Sequence, residues 1–221
     1  MIENSNYIDS KMFPLISNPS IGSILRPYGV DIAPEAADKI RAYISLLLKW
    51  NKTISLTTVT DPVEMLKFHF GESIFAASAV NFDQSRLADV GSGAGFPGLA
   101  LALVVPSLTV TLIESNARKC AFLSEVVREL QLQSVTVFRG RLESLPRDSE
   151  LLDFIAARAL GQLDELLAWS KGHIAATGRV ILWLGEADSR EISLNRDWDW
   201  ARPALIPGSE RRYLLVGSPK S

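Results

Sequence analysis

The stretch Asp89-Val90-Gly91-Ser92-Gly93-Ala94-Gly95-Phe96-Pro97-Gly98 decides the fold of this chain of 221 residues. It follows the apolar run Leu87–Val90 and precedes the helical pattern of Leu99–Val105. Glycines let the chain turn sharply between a strand and a helix, and they let a ligand approach the backbone without a Cβ in the way. The stretch therefore predicts a ligand-binding turn at the carboxyl end of a first strand.

Short apolar runs and helical patterns alternate along the chain after this turn. Further strands are predicted at Thr109–Glu114, Val135–Phe138, Phe154–Ala157 and Arg179–Leu184. Helical periodicity between them covers Leu99–Val105, Ala117–Leu130 and Leu163–Ser170. Two late runs, Pro203–Ile206 and Tyr213–Val216, are separated by a Pro-Gly-Ser turn and indicate an antiparallel hairpin. Together they predict an α/β, Rossmann-like fold whose mostly parallel seven-stranded sheet ends in a C-terminal antiparallel hairpin.

The residues before the first strand are helical in pattern. Pro34-Glu35 and Asp61-Pro62-Val63-Glu64 both look like helix starts, because proline suits the first turn and aspartate can cap it. We expect an N-terminal helical extension, residues 1–80, to cap a Rossmann-like domain of residues 81–221 as one structural unit.

Composition limits the function classes. Hydrophobic residues make up 47% and charged residues 22%, and no apolar run is long enough to span a membrane. The start lacks a signal-peptide layout, so we expect a cytoplasmic protein. One cysteine and two histidines exclude a disulfide framework and a structural zinc site, and we expect no metal. The net charge of −2 neither supports nor excludes a nucleic-acid partner.

Glu114 ends the second predicted strand, about 20 residues after the glycines, where a carboxylate can accept the hydroxyls of a ribose. That pair suits NAD as well as S-adenosylmethionine. Three details favour S-adenosylmethionine: an acid two residues before Gly91, the G-x-G-x-G spacing and the closing hairpin. A carboxylate at Asp89 can face the cationic end of S-adenosylmethionine but would repel a pyrophosphate. An NAD site and a turn without ligand stay open as alternatives.

Two features that the chain lacks exclude two classes of methyl acceptor. After the fourth strand it reads Ala157-Arg158-Ala159-Leu160, without the Asn/Asp-Pro-Pro-aromatic clamp of base-amino methyltransferases. Cys120 lies in the wrong helix for cytosine C5 chemistry. The remaining acceptors are nucleophilic already, so positioning suffices and no catalytic general base is expected.

From about residue 40 to 217 the chain resembles the bacterial 16S ribosomal RNA guanine-N7 methyltransferase G family, also called GidB. The matching stretches are Leu48–Thr57, Asp61–Leu66, His69 with Glu72-Ser73, Asp89–Gly98, Glu114-Ser115 with Arg118-Lys119 and Phe122-Leu123, Gly140–Glu143, Ala157–Ala159 and Glu210–Arg212. The resemblance implies methyl transfer from S-adenosylmethionine to N7 of a guanine in 16S ribosomal RNA or in the small ribosomal subunit, by a monomer.

The resemblance also implies site residues. Gly91 and Phe96 would contact S-adenosylmethionine, Glu114 its ribose, and Leu142 and Glu143 its adenine, with Arg158 near its methionine end or the incoming base. The full expected cofactor set is Asp89, Gly91, Ser92, Gly93, Gly95, Phe96, Glu114, Ser115, Leu142, Glu143 and Arg158. Phe96 could instead stack on the guanine or pack in the core, and His69, which matches a family histidine, is expected to be structural.

Basic residues gather at the same edge of the predicted sheet. The expected RNA-binding residues are Arg118, Lys119, Arg139, Arg141 and Arg158, all at strand ends or in the first turn of a helix. Cations early in a helix oppose its dipole, so an external anion such as a phosphate is a reasonable partner.

Two departures from the family weaken the RNA assignment. Phe68 and Leu184 stand where the family usually has an arginine and a lysine. Two other functions therefore stay open: a methyltransferase of a small molecule or protein, and a cofactor-binding module that sits on ribosomal particles without catalysis.

Overall fold

The structure, a computed structural model, describes residues 16–145 and 151–220 of the chain. Expectations for residues 1–15, the start of the predicted extension, lie outside the described residues. No helix in the described ranges is long and apolar enough to cross a membrane.

Five parallel strands form the centre of the sheet in the order β3-β2-β1-β4-β5. Their bounds are Arg86–Val90 (β1), Thr109–Glu114 (β2), Val135–Arg139 (β3), Leu152–Arg158 (β4) and Ile174–Gly185 (β5). The strand order reverses between β1 and β4, which makes the carboxyl ends of these two strands the topological switch point. The predicted Rossmann-like α/β fold is confirmed.

The far edge of the sheet is antiparallel. β8 (Arg212–Pro219) pairs with β5, and both β6 (Trp198–Trp200) and β7 (Ala204–Leu205) pair with β8. The late hairpin is confirmed as β7 and β8, but the predicted count of seven strands is wrong, because the sheet of the described residues has eight. The strand that the sequence did not indicate is β6, which at three residues is too short for a periodic signal.

Helices cover both faces of the sheet. α6 (Gly98–Val104) and α7 (Ala117–Glu129) share one apolar core with the N-terminal helices, while α8 (Leu163–Ser170) and α9 (Glu186–Ile192) bury apolar side chains in a second core on the opposite face. Asn116 caps α7 by accepting the backbone N–H groups of Arg118 and Lys119. The sequence had indicated all of these helices except α9.

Within residues 16–85, one long helix and several short helical elements precede β1. They are α1 (Asn18–Leu25), a 3₁₀ turn (Arg26–Tyr28), α2 (Pro34–Asn51), α3 (Pro62–Met65), a π-helical turn (Leu66–Gly71), α4 (Glu72–Ile74) and α5 (Ala76–Ala79). Both predicted helix starts are confirmed, and the Asp61 side chain accepts the Glu64 N–H at 2.9 Å. Tyr43 and Leu47 of α2 are fully buried in the core shared with α6 and α7, so these helices pack directly on the sheet domain.

Candidate active site

A cavity of about 240 Å³ opens at the carboxyl ends of β1 and β2, beside the switch point. Six residues expected at the site line it, namely Gly91, Glu114, Ser115, Arg141, Leu142 and Glu143. The segment after β4 closes the cavity with four residues that no sequence motif indicates, namely Leu160, Gln162, Glu165 and Leu166. Those four residues belong to a loop and the start of α8, where no motif marks a ligand contact.

Glu114 has a fixed orientation on the cavity wall. One carboxylate oxygen accepts the Gly93 N–H at 3.0 Å, and the other accepts the Asn116 N–H at 2.7 Å. The residue is only 7% exposed. Because an ionised carboxylate has about four lone-pair sites, each oxygen keeps one for a further donor. Two adjacent hydroxyl groups, as on a ribose, match that pair of acceptors.

The glycines of the turn serve two different purposes. Gly91, Gly93 and Gly95 all have positive φ, at 72°, 57° and 89°. A Cβ on Gly93 would make an ordinary van der Waals contact, 3.7 Å from the Gly91 carbonyl oxygen, so this position is not crowded by the described residues. A Cβ on Gly95 would instead collide with the Tyr43 hydroxyl and with Leu99. Gly93 therefore leaves room for a ligand, whereas Gly95 leaves room for the protein's own core.

Asp89 and Ser92 lie beneath the turn and not on the cavity wall. Asp89 is fully buried, and one of its oxygens accepts the Gly98 N–H at 2.9 Å. The other oxygen has no hydrogen-bond partner among the described residues, and burial raises the pKa of this carboxyl to about 7. Ser92 donates its hydroxyl to the Asp89 carbonyl at 2.8 Å. Asp89 and Ser92 therefore support the turn from below, and their expected contacts with the cofactor stay a prediction.

Arg158, at the end of β4, uses its donors within the protein. Its guanidinium donates to the Glu72 carboxylate at 2.8 Å, to the Phe68 carbonyl at 2.5 Å and to the Ser73 hydroxyl at 3.2 Å. Burial lowers the pKa of the guanidinium. Arg158 thus ties the π-helical turn and α4 to the sheet, and its expected contacts with cofactor and RNA stay a prediction.

Phe68 and Leu184 are the two positions where the family usually has a basic residue. Both lie near Arg212, which was not among the expected RNA-binding residues. Arg212 pairs with the second oxygen of Glu72 at 2.5 Å, and its guanidinium lies 5.0 Å from the centroid of the Phe68 ring. Arg212 is also the cross-strand partner of Gly185, the neighbour of Leu184. Positive charge is therefore present at this end of the sheet.

Phe96 packs in the core. Its ring stacks on Tyr43 at 5.3 Å and on His69 at 4.9 Å, and the residue is 8% exposed. Three roles were considered from the sequence: contact with S-adenosylmethionine, stacking on the guanine and packing in the core. Packing is the one that these contacts support. His69 itself is partly exposed, and burial lowers the pKa of its ring to about 4.

The expected RNA contacts at the other side of the cavity form a group that we call the basic rim, consisting of Arg118, Lys119, Arg139 and Arg141. Arg139 is the parallel neighbour of Glu114, Arg118 and Lys119 begin α7, and Arg141 lines the cavity. None of the four has an ion-pair partner within residues 16–145 and 151–220. Arg118, Arg139 and Arg141 are exposed and Lys119 is half-buried. Unpaired cations on one rim favour an external polyanion.

Comparison with known proteins identifies relatives across most of the chain. A model of the family described as rRNA small subunit methyltransferase G matches residues 36–200. A protein of Pseudomonas putida named ribosomal RNA small subunit methyltransferase G is 37% identical over 197 residues, which cover 86% of this chain and 90% of the relative. The protein of that name from Klebsiella pneumoniae is 35% identical and covers 91% and 98%.

Solved structures show the same fold at low identity. An S-adenosylmethionine-dependent methyltransferase from Aquifex aeolicus superposes with a TM-score of 0.60 at 17% identity, over 71% of this chain and 93% of its own. A ribosomal protein L11 methylase from Lactobacillus delbrueckii gives 0.57 at 16% identity, over 68% and 78%. These two support the fold, and the family model and the sequence relatives settle the family: the chain belongs to the rRNA small subunit methyltransferase G family.

Proposed function

We propose that this protein methylates N7 of a guanine in 16S ribosomal RNA, with S-adenosylmethionine as the methyl donor. The observation that carries the cofactor assignment is the cavity at the switch point, where Glu114, oriented by the Gly93 and Asn116 N–H groups, presents two acceptor oxygens. Residues 81–221 would hold the cofactor, and the helical extension before them would shape the acceptor side through its π-helical turn. No metal takes part in this proposal, and the active unit is a monomer.

The ribose and the adenine of the cofactor each have candidate partners in the chain. Glu114 would accept the ribose hydroxyls, and the backbone at Gly91 and Gly93 would approach the ligand closely. Leu142 and Glu143 would lie beside the adenine, with Ser115 next to Glu114 at the mouth. When bound, S-adenosylmethionine supplies a sulfonium-linked methyl group, whose carbon takes up the acceptor's lone pair while the electrons of the broken S–C bond stay on sulfur.

Guanine N7 suits a site that lacks an obvious base. Its lone pair is free, so no proton has to leave before attack, and the protein's task is to hold the two reactants in line. The described residues near the switch point provide such positioning: Arg158 fixes the π-helical turn against β4, and Phe96 supports the ring of His69. No proton transfer is assigned to any of them.

The basic rim would hold the RNA. Lysine and arginine contacts to phosphates supply affinity without sequence information, and they make binding steeply dependent on salt. The rim also favours this proposal over a small-molecule methyltransferase, because a small neutral acceptor would form no ion pairs with the unpaired cations beside the cavity. Arg212, on the other side of the switch point, extends the positive surface.

A labelled-methyl transfer assay tests the proposal. Naked 16S RNA and small ribosomal subunits, each from cells lacking the modification, are offered with labelled S-adenosylmethionine, and borohydride–aniline cleavage then maps N7-methylguanosine. We expect a single cleavage site, and the better substrate shows whether the enzyme acts before or after assembly. If neither RNA is labelled while calorimetry shows that S-adenosylmethionine binds, the RNA substrate is wrong and the small-molecule or protein acceptor becomes the better proposal.

A further inference from the structure

His69 lies at the switch point and faces both halves of it. Its ring stacks on Phe96, which belongs to the turn after β1, and its backbone carbonyl receives a donor from Arg158, which ends β4. Ligands of open α/β sheets bind outside these strand ends. The N-terminal extension therefore places an imidazole beside the turn after β1 and the end of β4.

Thr57 contacts one ring nitrogen of His69. The Thr57 hydroxyl oxygen accepts the Val59 N–H at 3.0 Å and lies 2.7 Å from Nε2 of His69. Nε2 is the one acceptor for the hydroxyl hydrogen that the described residues supply. Since a neutral imidazole has one donor and one acceptor, Nδ1 carries the N–H when the Thr57 hydroxyl donates to Nε2. The ring is neutral near pH 7, because burial and the Arg158 guanidinium lower its pKa to about 4.

Nδ1 of His69 is available to a ligand. It makes no hydrogen bond within residues 16–145 and 151–220, and it is not among the buried polar atoms without a partner, so it is open to solvent. In the tautomer that carries the hydrogen on Nδ1, the ring presents a neutral N–H donor near the switch point. Such a donor can recognise an acceptor atom on an incoming base, and it disfavours a base that presents a donor at the same point.

We propose that His69 donates its Nδ1–H to O6 of the acceptor guanine and thereby selects guanine over adenine. Guanine presents two acceptors on this edge, N7 and O6, whereas adenine presents N7 beside an amino group. A donor placed next to the reacting N7 would bond to O6 of guanine but meet the N6 hydrogens of adenine. This inference rests on the proposed function, and it names the residue that reads the base.

The test replaces single atoms of the base. The guanine mapped by cleavage is exchanged in 16S RNA, through splinted ligation, for inosine, which keeps N7 and O6, or for 2-aminopurine, which keeps N7 and lacks O6. With the wild-type enzyme we expect kcat/KM to be similar for guanine and inosine and roughly tenfold lower for 2-aminopurine, as one hydrogen bond is lost. His69→Phe, which retains a ring on Phe96, should lower kcat/KM for guanine by about the same factor and abolish the difference from 2-aminopurine.

A matched control comes from the second histidine. His173 also stacks on an aromatic ring, that of Trp169 at 3.8 Å, and lies before β5, so His173→Phe should leave the ratio between guanine and 2-aminopurine unchanged. The Kd of S-adenosylmethionine and the Tm of both variants show that fold and cofactor site are intact. A His69→Phe enzyme that keeps the wild-type ratio overturns this inference alone. A wild-type enzyme that labels no RNA overturns the proposed function as well.

Discussion

Glu72 and Arg158 form a buried ion pair that joins the helical extension to the sheet. The guanidinium lies 2.8 Å from the carboxylate, and the two side chains are 2% and 18% exposed. Arg212 pairs with the second oxygen of Glu72 but is itself 44% exposed. Because a buried charge without a partner is costly, the position of the π-helical turn depends on Arg158 in particular.

Removal of Arg158 should destabilise the fold strongly. In Arg158→Met, Glu72 keeps only a half-exposed partner, and the Phe68 carbonyl loses its donor. We expect the free energy of unfolding to fall by about 3–5 kcal/mol, measured by urea denaturation. The control is Arg190→Met, which removes an exposed pair with Glu186 and should cost less than about 1 kcal/mol. Equal losses in the two variants would show that Arg158 does not hold the turn.

Substitution of Glu114 should weaken cofactor binding. Glu114→Gln keeps the shape of the side chain but replaces one acceptor oxygen with a donor nitrogen, which can accept neither a ribose hydroxyl nor the backbone N–H of Gly93 or Asn116. Loss of a hydrogen bond to a charged group costs about 1.5–3 kcal/mol, so the Kd of S-adenosylmethionine should rise by roughly 10- to 150-fold in calorimetry. Glu191→Gln, an exposed change on α9, serves as the control. A Kd within about twofold of wild type for Glu114→Gln contradicts the ribose assignment.

Alanine at Gly93 and at Gly95 should destabilise the fold to different extents. At Gly93 the new methyl group makes only an ordinary contact with the Gly91 carbonyl oxygen, so the cost to folding is that of the left-handed backbone, about 1–2 kcal/mol, while S-adenosylmethionine loses its close approach. At Gly95 the methyl group collides with Tyr43 and Leu99, so the loss of stability should be clearly larger. Thermal unfolding and cofactor titration of both variants separate the two effects. Similar Tm values for the two variants would contradict the division of roles within the turn.

Two buried groups should shift stability with pH in opposite directions. The pKa of His69 falls to about 4 in the folded state, so between pH 4 and 6.5 the unfolded chain binds the extra proton and stability rises with pH. The pKa of Asp89 rises to about 7, so between pH 4 and 7 the folded chain retains the proton and stability falls with pH. Each slope reaches at most about 1.4 kcal/mol per pH unit, and in the wild type the two oppose each other.

The single variants should reveal each slope. Asp89→Asn leaves the contribution of His69, so its free energy of unfolding should rise more steeply with pH than that of the wild type between pH 4 and 6.5. His69→Phe leaves that of Asp89, so its stability should decline relative to wild type between pH 4 and 7. Urea denaturation across this range measures both. Parallel curves for wild type and both variants would show that neither group titrates as the structure implies.

The strand–helix alternation could be predicted because it depends on local pattern, and β2 was predicted with the bounds that the structure shows. The role of Arg158 could not be predicted in this way, because it depends on contacts between distant parts of the sequence. Three of its acceptors, a backbone carbonyl, a hydroxyl and a carboxylate, lie more than 80 residues away. The position of Asp89 and Glu114 in the sequence motif predicted that both lie at the site. Only the three-dimensional packing shows that Glu114 lines the cavity and that Asp89 lies beneath the turn.

The basic rim yields a prediction that compares the two ends of one helix. Arg118 lies in the first turn of α7, next to the cavity, and Arg128 lies in its last turn, 73% exposed. Each phosphate contact contributes about 0.7–0.9 to the slope of log affinity against log salt, so Arg118→Gln should lower the slope for 16S RNA by that amount and Arg128→Gln should not. The Kd of S-adenosylmethionine should stay unchanged in both variants. The two substitutions remove the same charge from the same helix. A slope that falls equally in both would therefore mean that RNA affinity depends only on the net charge of the protein, and that the basic rim is not a binding surface.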